Sequence, residues 1–179
     1  MERTVEQRVE RIQQAFARLA LDSKHHFNRE AVSEDVLAQL AAIEGFPRDF
    51  LMILKRIGMV TRWGYTDCAM MDWWVPCRMA DAVEDGRCFY DVREGNFVKG
   101  KDLLVFAWDC HARVYFYDTT KKPWSVVSSD GLSLSFFNEE LDKTGTTEDS
   151  GPFECDDDRS ALDIIEDWVE FGRTLSRDA

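Results

Sequence analysis

At Gly58 the hydrophobic period of the chain changes. Before it, Phe50, Leu51, Ile53, Leu54 and Ile57 recur at helical spacing behind Pro47, whose missing N–H suits a first helical turn. After it come short aromatic and β-branched runs, Met59–Trp63, Cys68–Val75, Arg87–Val92, Leu103–Trp108, Val114–Tyr117 and Trp124–Ser128, each bounded by Gly, Asp, Asn or Pro. Several strands in succession predict a mostly antiparallel sheet. Helices on both sides of that run make the expected class α+β.

Two more helices precede the switch. Val5, Val9, Ile12, Phe16 and Leu19 fall on one face of an amphipathic helix within residues 1–22. Ser33 reads as the cap of a second, with Val36, Leu37, Leu40 and Ile43 inward and Gly45 as its stop. His25-His26, between them, reads as a polar loop. Ser135 is expected to cap a short helix through Leu141, residues 144–152 read as a loop, and a final helix is expected from near Asp158 through Leu162, Ile165, Trp168 and Val169. With 45% hydrophobic residues and no repeat or linker, 179 residues are expected to form one domain, 1–179.

Charge narrows the partners. The formal net charge is −12, which disfavours nucleic acid and anionic membranes and favours a basic protein. Between Glu139 and Glu170 there are 13 acids against Lys143 and Arg159, so this stretch, under a fifth of the chain, carries −11. Asp at a helix start accounts for one or two of them. Like charges four apart, Asp163 with Asp167 and Glu166 with Glu170, would cost a helix a few tenths of a kcal/mol each. Such a cost is expected of a binding surface rather than of solubility alone. The expected partner-binding residues are Glu148, Asp149, Glu154, Asp156, Asp157, Asp158 and Glu166, assisted by aromatic anchors such as Trp73 and Trp124. In a strand, Trp73 and Trp74 face opposite sides, so one is expected against a second layer or at the surface.

Signs of catalysis are weak. Cys110-His111 are sequence neighbours with nothing to fix a thiol–imidazole geometry. No phosphate-binding loop, dinucleotide fingerprint or nucleophile elbow occurs. Five cysteines without C-x-x-C spacing indicate neither a disulfide framework nor a zinc knuckle. No catalytic residue, cofactor or metal is therefore expected. Asp109 and Asp118, each at a strand end, are expected to bond their own backbone and start turns. The first eight residues carry no apolar signal region, and no apolar run reaches the roughly 18 residues of a membrane span, so the expected location is the cytoplasm.

The order of these features resembles the SUKH superfamily, of SMI/KNR type. The helix opened by Phe46-Pro47-Arg48-Asp49-Phe50-Leu51 and closed by Ile57-Gly58 resembles the family's entry motif. Val105-Phe106-Ala107-Trp108-Asp109 with Val114-Tyr115-Phe116-Tyr117-Asp118 is similar to its paired strands, and Trp124-Ser125-Val126-Val127 to its next strand. Ser135-Phe136-Phe137-Asn138-Glu139-Glu140-Leu141 is similar to its late helix, so the resemblance covers residues 45–141, about half of the chain. Gly58 departs from the family pattern in lacking a preceding Asn, as does the turn Cys110-His111-Ala112-Arg113 in lacking a glycine. Residues 142–179 extend beyond the pattern as an acidic loop and a helix. The resemblance implies a central, curved antiparallel sheet flanked by N-terminal and C-terminal helices. It also implies an immunity protein or antitoxin that neutralises a cognate polymorphic toxin domain in interbacterial competition, or a regulatory adaptor on the same fold. A nuclease-like toxin has the basic surface that the acidic segment would meet. A small carboxylate-based enzyme is the third class, and would need two acids in a deep pocket.

Overall fold

The computed structural model describes residues 3–77, 81, 103–111, 113–130 and 156–177. The expected strand Arg87–Val92 and the helix from Ser135 lie outside the described residues. The chain divides into two compact units, Met1–Trp74 with Arg159–Ala179, and Val75–Asp158. Helices and antiparallel strands make the protein α+β, as the change of period at Gly58 predicts.

The first unit opens with α1 (Val5–Leu19), capped reciprocally: the Gln7 amide donates to Thr4 Oγ1 at 3.3 Å and the Thr4 amide to Gln7 Oε1 at 3.1 Å. Its Val9, Ile12, Phe16 and Leu19 stripe is buried. Strand β1 (His25–Glu30) follows, then α2 (Glu34–Ala42), capped by Ser33, and α3 (Arg48–Arg56) behind Pro47. Strands β2 (Met59–Tyr65), β3 (Cys68–Ala69) and β4 (Met71–Cys77) come next, so the expected strand Cys68–Val75 is interrupted at Met70. β2 pairs antiparallel with β1, β3 and β4.

Gly58 is required by geometry at the change of period. Its φ is +88°, and a Cβ there would stand 2.3 Å from the Glu30 carbonyl oxygen, so a side chain is excluded by both backbone conformation and contact. Gly45, at φ +87°, likewise turns the chain after α2.

The core of this unit is aromatic. Phe16 of α1 meets Phe27, Trp63 and Trp73 at centroid distances of 4.9, 5.1 and 5.4 Å. The last helix, α4 (Ala161–Arg177), contributes Ile164, Ile165 and Val169 as buried residues. It begins at Ala161 rather than near Asp158. The start is set by Ser160 and Asp163, because the Asp163 amide donates to Ser160 Oγ (3.2 Å) while the Ser160 amide donates to Asp163 Oδ2 (2.8 Å).

The second unit contains β5 (Leu103–Asp109), β6 (Arg113–Asp118), β7 (Ser125–Asp130) and β8 (Asp156–Asp157), paired antiparallel in sequence order. Tyr115, Phe116 and Tyr117 are consecutive and all buried, so both faces of β6 are covered. Phe106 stacks on Tyr117 at 4.3 Å.

Candidate functional site

The structure separates the residues expected to bind a partner. Glu148, Asp149 and Glu154 lie outside the described residues. Asp156 and Asp157 do not sit at a helix start; they form β8, opposite Val127 and Val126 of β7. Asp158 follows them and is exposed. Trp73 is a correction: its exposure is 0%, its ring edge packs on Phe16, and its indole N–H donates to the Gly58 carbonyl at 3.0 Å. A side chain so enclosed and bonded cannot serve as an exposed anchor. Trp74 is equally buried, so neither indole of the pair reaches the surface. Trp124 is half-buried, with its ring 6.0 Å from Tyr117.

Glu166 is turned inward to the chain's own cations. Arg8 donates to it through Nε (2.8 Å) and Nη2 (2.7 Å) and also bonds Asp163, while Arg11 stands 3.6 Å away. Burial alone would push the Asp163 carboxyl up, but the bonds from Arg8 and Ser160 outweigh it and hold the group below its usual range. Burial would lower the Arg8 pKa; its two carboxylate partners raise it instead. Asp167 pairs with Arg159 at 3.2 Å and Glu170 with Arg173 at 2.7 Å. The cost expected from like charges four apart on this helix is therefore offset by cations, two of them brought by α1 from far away in sequence.

These pairs leave one outward face of α4. Asp167, Glu170, Phe171 and Thr174 are exposed on it at helical spacing. The Phe171 side chain, 45% exposed, packs edge-on against Trp168 at 5.6 Å.

A second polar centre involves a histidine that the sequence hides. His25 lies in β1, not in a loop, and is only 6% exposed. Trp63 Nε1 stands 3.2 Å from His25 Nδ1, and an indole can only donate, so Nδ1 is the acceptor and Nε2 carries the proton. Nε2 then donates to Ser176 Oγ at 3.1 Å, and the Ser176 hydroxyl donates to Asp22 Oδ2 at 2.8 Å. Serine, histidine and aspartate thus meet, but in the wrong order for nucleophilic catalysis. A histidine whose proton already faces the serine cannot act as its base, and the carboxylate holds the serine rather than the imidazole. The inward turn of His25 and Phe27, against the exposed His26 and Asn28, is set by the folded strand and not by any polar–apolar alternation in His-His-Phe-Asn.

Other polar groups are structural. Asp109, buried in the second unit, accepts from the His111 amide (2.8 Å), the Arg113 amide (3.3 Å) and the Tyr115 hydroxyl (2.7 Å). Asp118 accepts from the Thr120 amide at 2.9 Å. Both carboxylates bond their own turns, as expected of Asp at strand ends. His111 is exposed in the β5–β6 turn.

A groove of about 600 Å³ runs between α2 and α3, with Ile43, Phe46, Leu51 and Met52 along it and Arg48 and Lys55 at its rim. Its lining holds one carboxylate, Glu44, not the two acids that glycoside hydrolysis would use. Among the described residues, no group of three or more His, Cys, Asp or Glu is placed to hold a metal ion, and no helix is long and apolar enough to cross a membrane. Searches of family models, of curated proteins and of solved structures find no match to this chain.

Proposed function

We propose that this chain is an immunity protein that binds a cognate bacterial toxin domain, basic and nuclease-like, and neutralises it in a stoichiometric complex. The observation that carries this reading is the outward face of α4, where Asp167 and Glu170 flank an exposed Phe171 in a chain of net charge −12. The net negative charge of the chain steers a basic partner into encounter. An exposed aromatic ring supplies apolar contact once the encounter has formed. The exposed pairs with Arg159 and Arg173 do not oppose this, because solvent-facing ion pairs are worth at most about 1 kcal/mol and exchange readily for a partner's cations.

The resemblance of residues 45–141 to the SUKH superfamily supports the same reading, as does the acidity of the stretch holding Glu148, Asp149, Glu154 and Asp156 to Asp158. The contact surface proposed is centred on α4, without Trp73 or Glu166. Co-expression with the toxin domain encoded beside this chain tests it. Growth rescue and co-purification in a one-to-one complex are expected, with an association rate that falls steeply as salt is raised. If the chain neither rescues growth nor co-purifies, the immunity reading is wrong.

A further inference from the structure

The last turn of α4 is joined to β1 and β2 through groups whose hydrogen-bond directions are fully determined. Trp63 donates to His25 Nδ1, His25 Nε2 donates to Ser176, and Ser176 donates to Asp22 in the turn after α1. Beside them, the Tyr65 hydroxyl donates to the Leu175 carbonyl at 3.2 Å. Gly172 lets the helix come this close: a Cβ there would lie 2.8 Å from Trp63 Cζ2 and 3.5 Å from His25 Cε1.

We propose that His25 is the pivot of an acid-sensitive latch, in which protonation of its Nδ1 releases the last turn of α4 from β1 and β2. A second proton on the imidazole would have to sit on Nδ1. There it would face the indole N–H of Trp63 across 3.2 Å, donor against donor, in a site almost closed to water. The indole cannot reverse its role, so one of the two groups must leave. Moving the imidazole also removes the donor that orients Ser176, and with it the route to Asp22.

The charged and titratable groups around the ring oppose one another. Burial disfavours the imidazolium most. His26, its neighbour on β1, also disfavours it, while Asp22 and the Gly172 carbonyl favour it. Lys24 acts on Asp22, and Tyr65 of β2 packs on the ring at 4.8 Å. The net direction is down from the ordinary histidine value of 6.5. The closed latch therefore binds the proton less well than the open one. Opening is unaffected by pH above 6.5 and grows by up to tenfold per pH unit below it, until the closed-state pKa is reached.

Hydrogen exchange of the Trp63 indole N–H and the Ser176 amide in the full chain, corrected for intrinsic rates, tests this between pH 8 and pH 5. Protection is expected to be flat above pH 6.5 and to fall by up to tenfold per pH unit below it. His25→Gln can accept from the indole and donate to Ser176 without titrating, so its protection should not change over the same range. His26→Gln should behave as the parent. Flat protection in the parent chain, or an undiminished fall in His25→Gln, overturns the proposal. Should His25→Gln fail to fold, the His25 ring proton titration in the parent chain decides. An apparent pKa at or above 6.5, or one that does not coincide with the loss of Trp63 protection, also overturns it.

Discussion

The two ends of α4 are held by opposite chemistries. Near its start, Asp163 and Glu166 meet Arg8 and Arg11 of α1 in ion pairs that keep partial access to solvent. Near its end, Trp63, His25 and Ser176 form a chain of mostly neutral hydrogen bonds, buried between Trp63 and His25 and half-buried beyond, that finishes on the Asp22 carboxylate. The first kind of contact tolerates movement, because long charged side chains can follow one another and water shares the load. The second depends on direction: each group has one donor or acceptor role to play, and a single proton in the wrong place breaks it. The same helix is thus held by attraction that salt can weaken at one end and by hydrogen-bond order that acid can reverse at the other.

The largest effect should come from the buried end. Trp63→Ala removes a fully buried indole that touches Phe16, Phe27 and His25, and is expected to cost about 3–5 kcal/mol, read by denaturant unfolding. Loss of α4 should accompany it. If the cost were below about 1 kcal/mol, this end would not be the firmer of the two.

Gly172→Val comes next. The added carbons would press on Trp63, a rigid ring that cannot yield like the tip of a flexible side chain, so overpacking of about 1–3 kcal/mol is expected. Gly172→Ala should cost less. A helical alanine recovers up to about 1 kcal/mol of propensity relative to glycine, and it has only the one offending carbon. Equal stability of the valine variant and the parent would show that α4 does not approach Trp63 so closely.

Arg8→Met sharpens the comparison from the other end. Removing the guanidinium leaves Asp163 and Glu166 half-buried without their main cation, for a loss of about 1 kcal/mol after allowance for solvent screening. That loss should shrink in about 1 M salt, whereas the loss in Trp63→Ala should not. The pH windows differ as well. Asp163 is held below its ordinary value of 3.8, so its contribution is present above that pH and is lost as pH falls through the folded value. His25 is also lowered, but it is a base, so stability is full above 6.5 and is lost as pH falls from there. Stability measured against pH in the parent chain should show two separate declines. Arg8→Met should blunt only the lower one.

What the sequence revealed differs between these two ends for physical reasons. The helices were legible because their apolar spacing and caps are local: α1 spans Val5–Leu19, Ser33 caps α2, and Pro47 leads into α3. β2, β4, β5, β6 and β7 were legible as short apolar runs after Gly58, whereas β8, made of two aspartates, was not. β1 was not, because His25, His26, Asn28, Arg29 and Glu30 read as polar, and only packing reveals that His25 faces inward. The burial of Trp73 was open in the sequence, since alternation says that two neighbouring rings diverge but not what covers each. The charge of the C-terminal segment was countable, yet a count along the chain misses Arg8 and Arg11. Those residues lie more than 150 positions from Asp163 and Glu166 and neutralise them only in the folded chain.

The smallest effect on stability should fall on the outward face of α4, and there the comparison turns from folding to binding. Asp167 is 66% exposed and Glu170 is 54% exposed, each in a solvent-facing pair, so the double change Asp167→Asn with Glu170→Gln should alter stability by no more than about 0.5 kcal/mol. It also neutralises the carboxylates that face Arg159 and Arg173, which shifts the charge of the face by two units toward positive. Association with the basic toxin domain should therefore slow several-fold at low salt and lose part of its salt dependence, with a smaller change in dissociation. Phe171→Ala should do the reverse, since a ring in contact acts after encounter and its loss appears mainly as faster dissociation. If neither change altered binding while the complex still formed, the partner would have to be held elsewhere. The acids of α4 would then serve Arg8, Arg11, Arg159 and Arg173 alone.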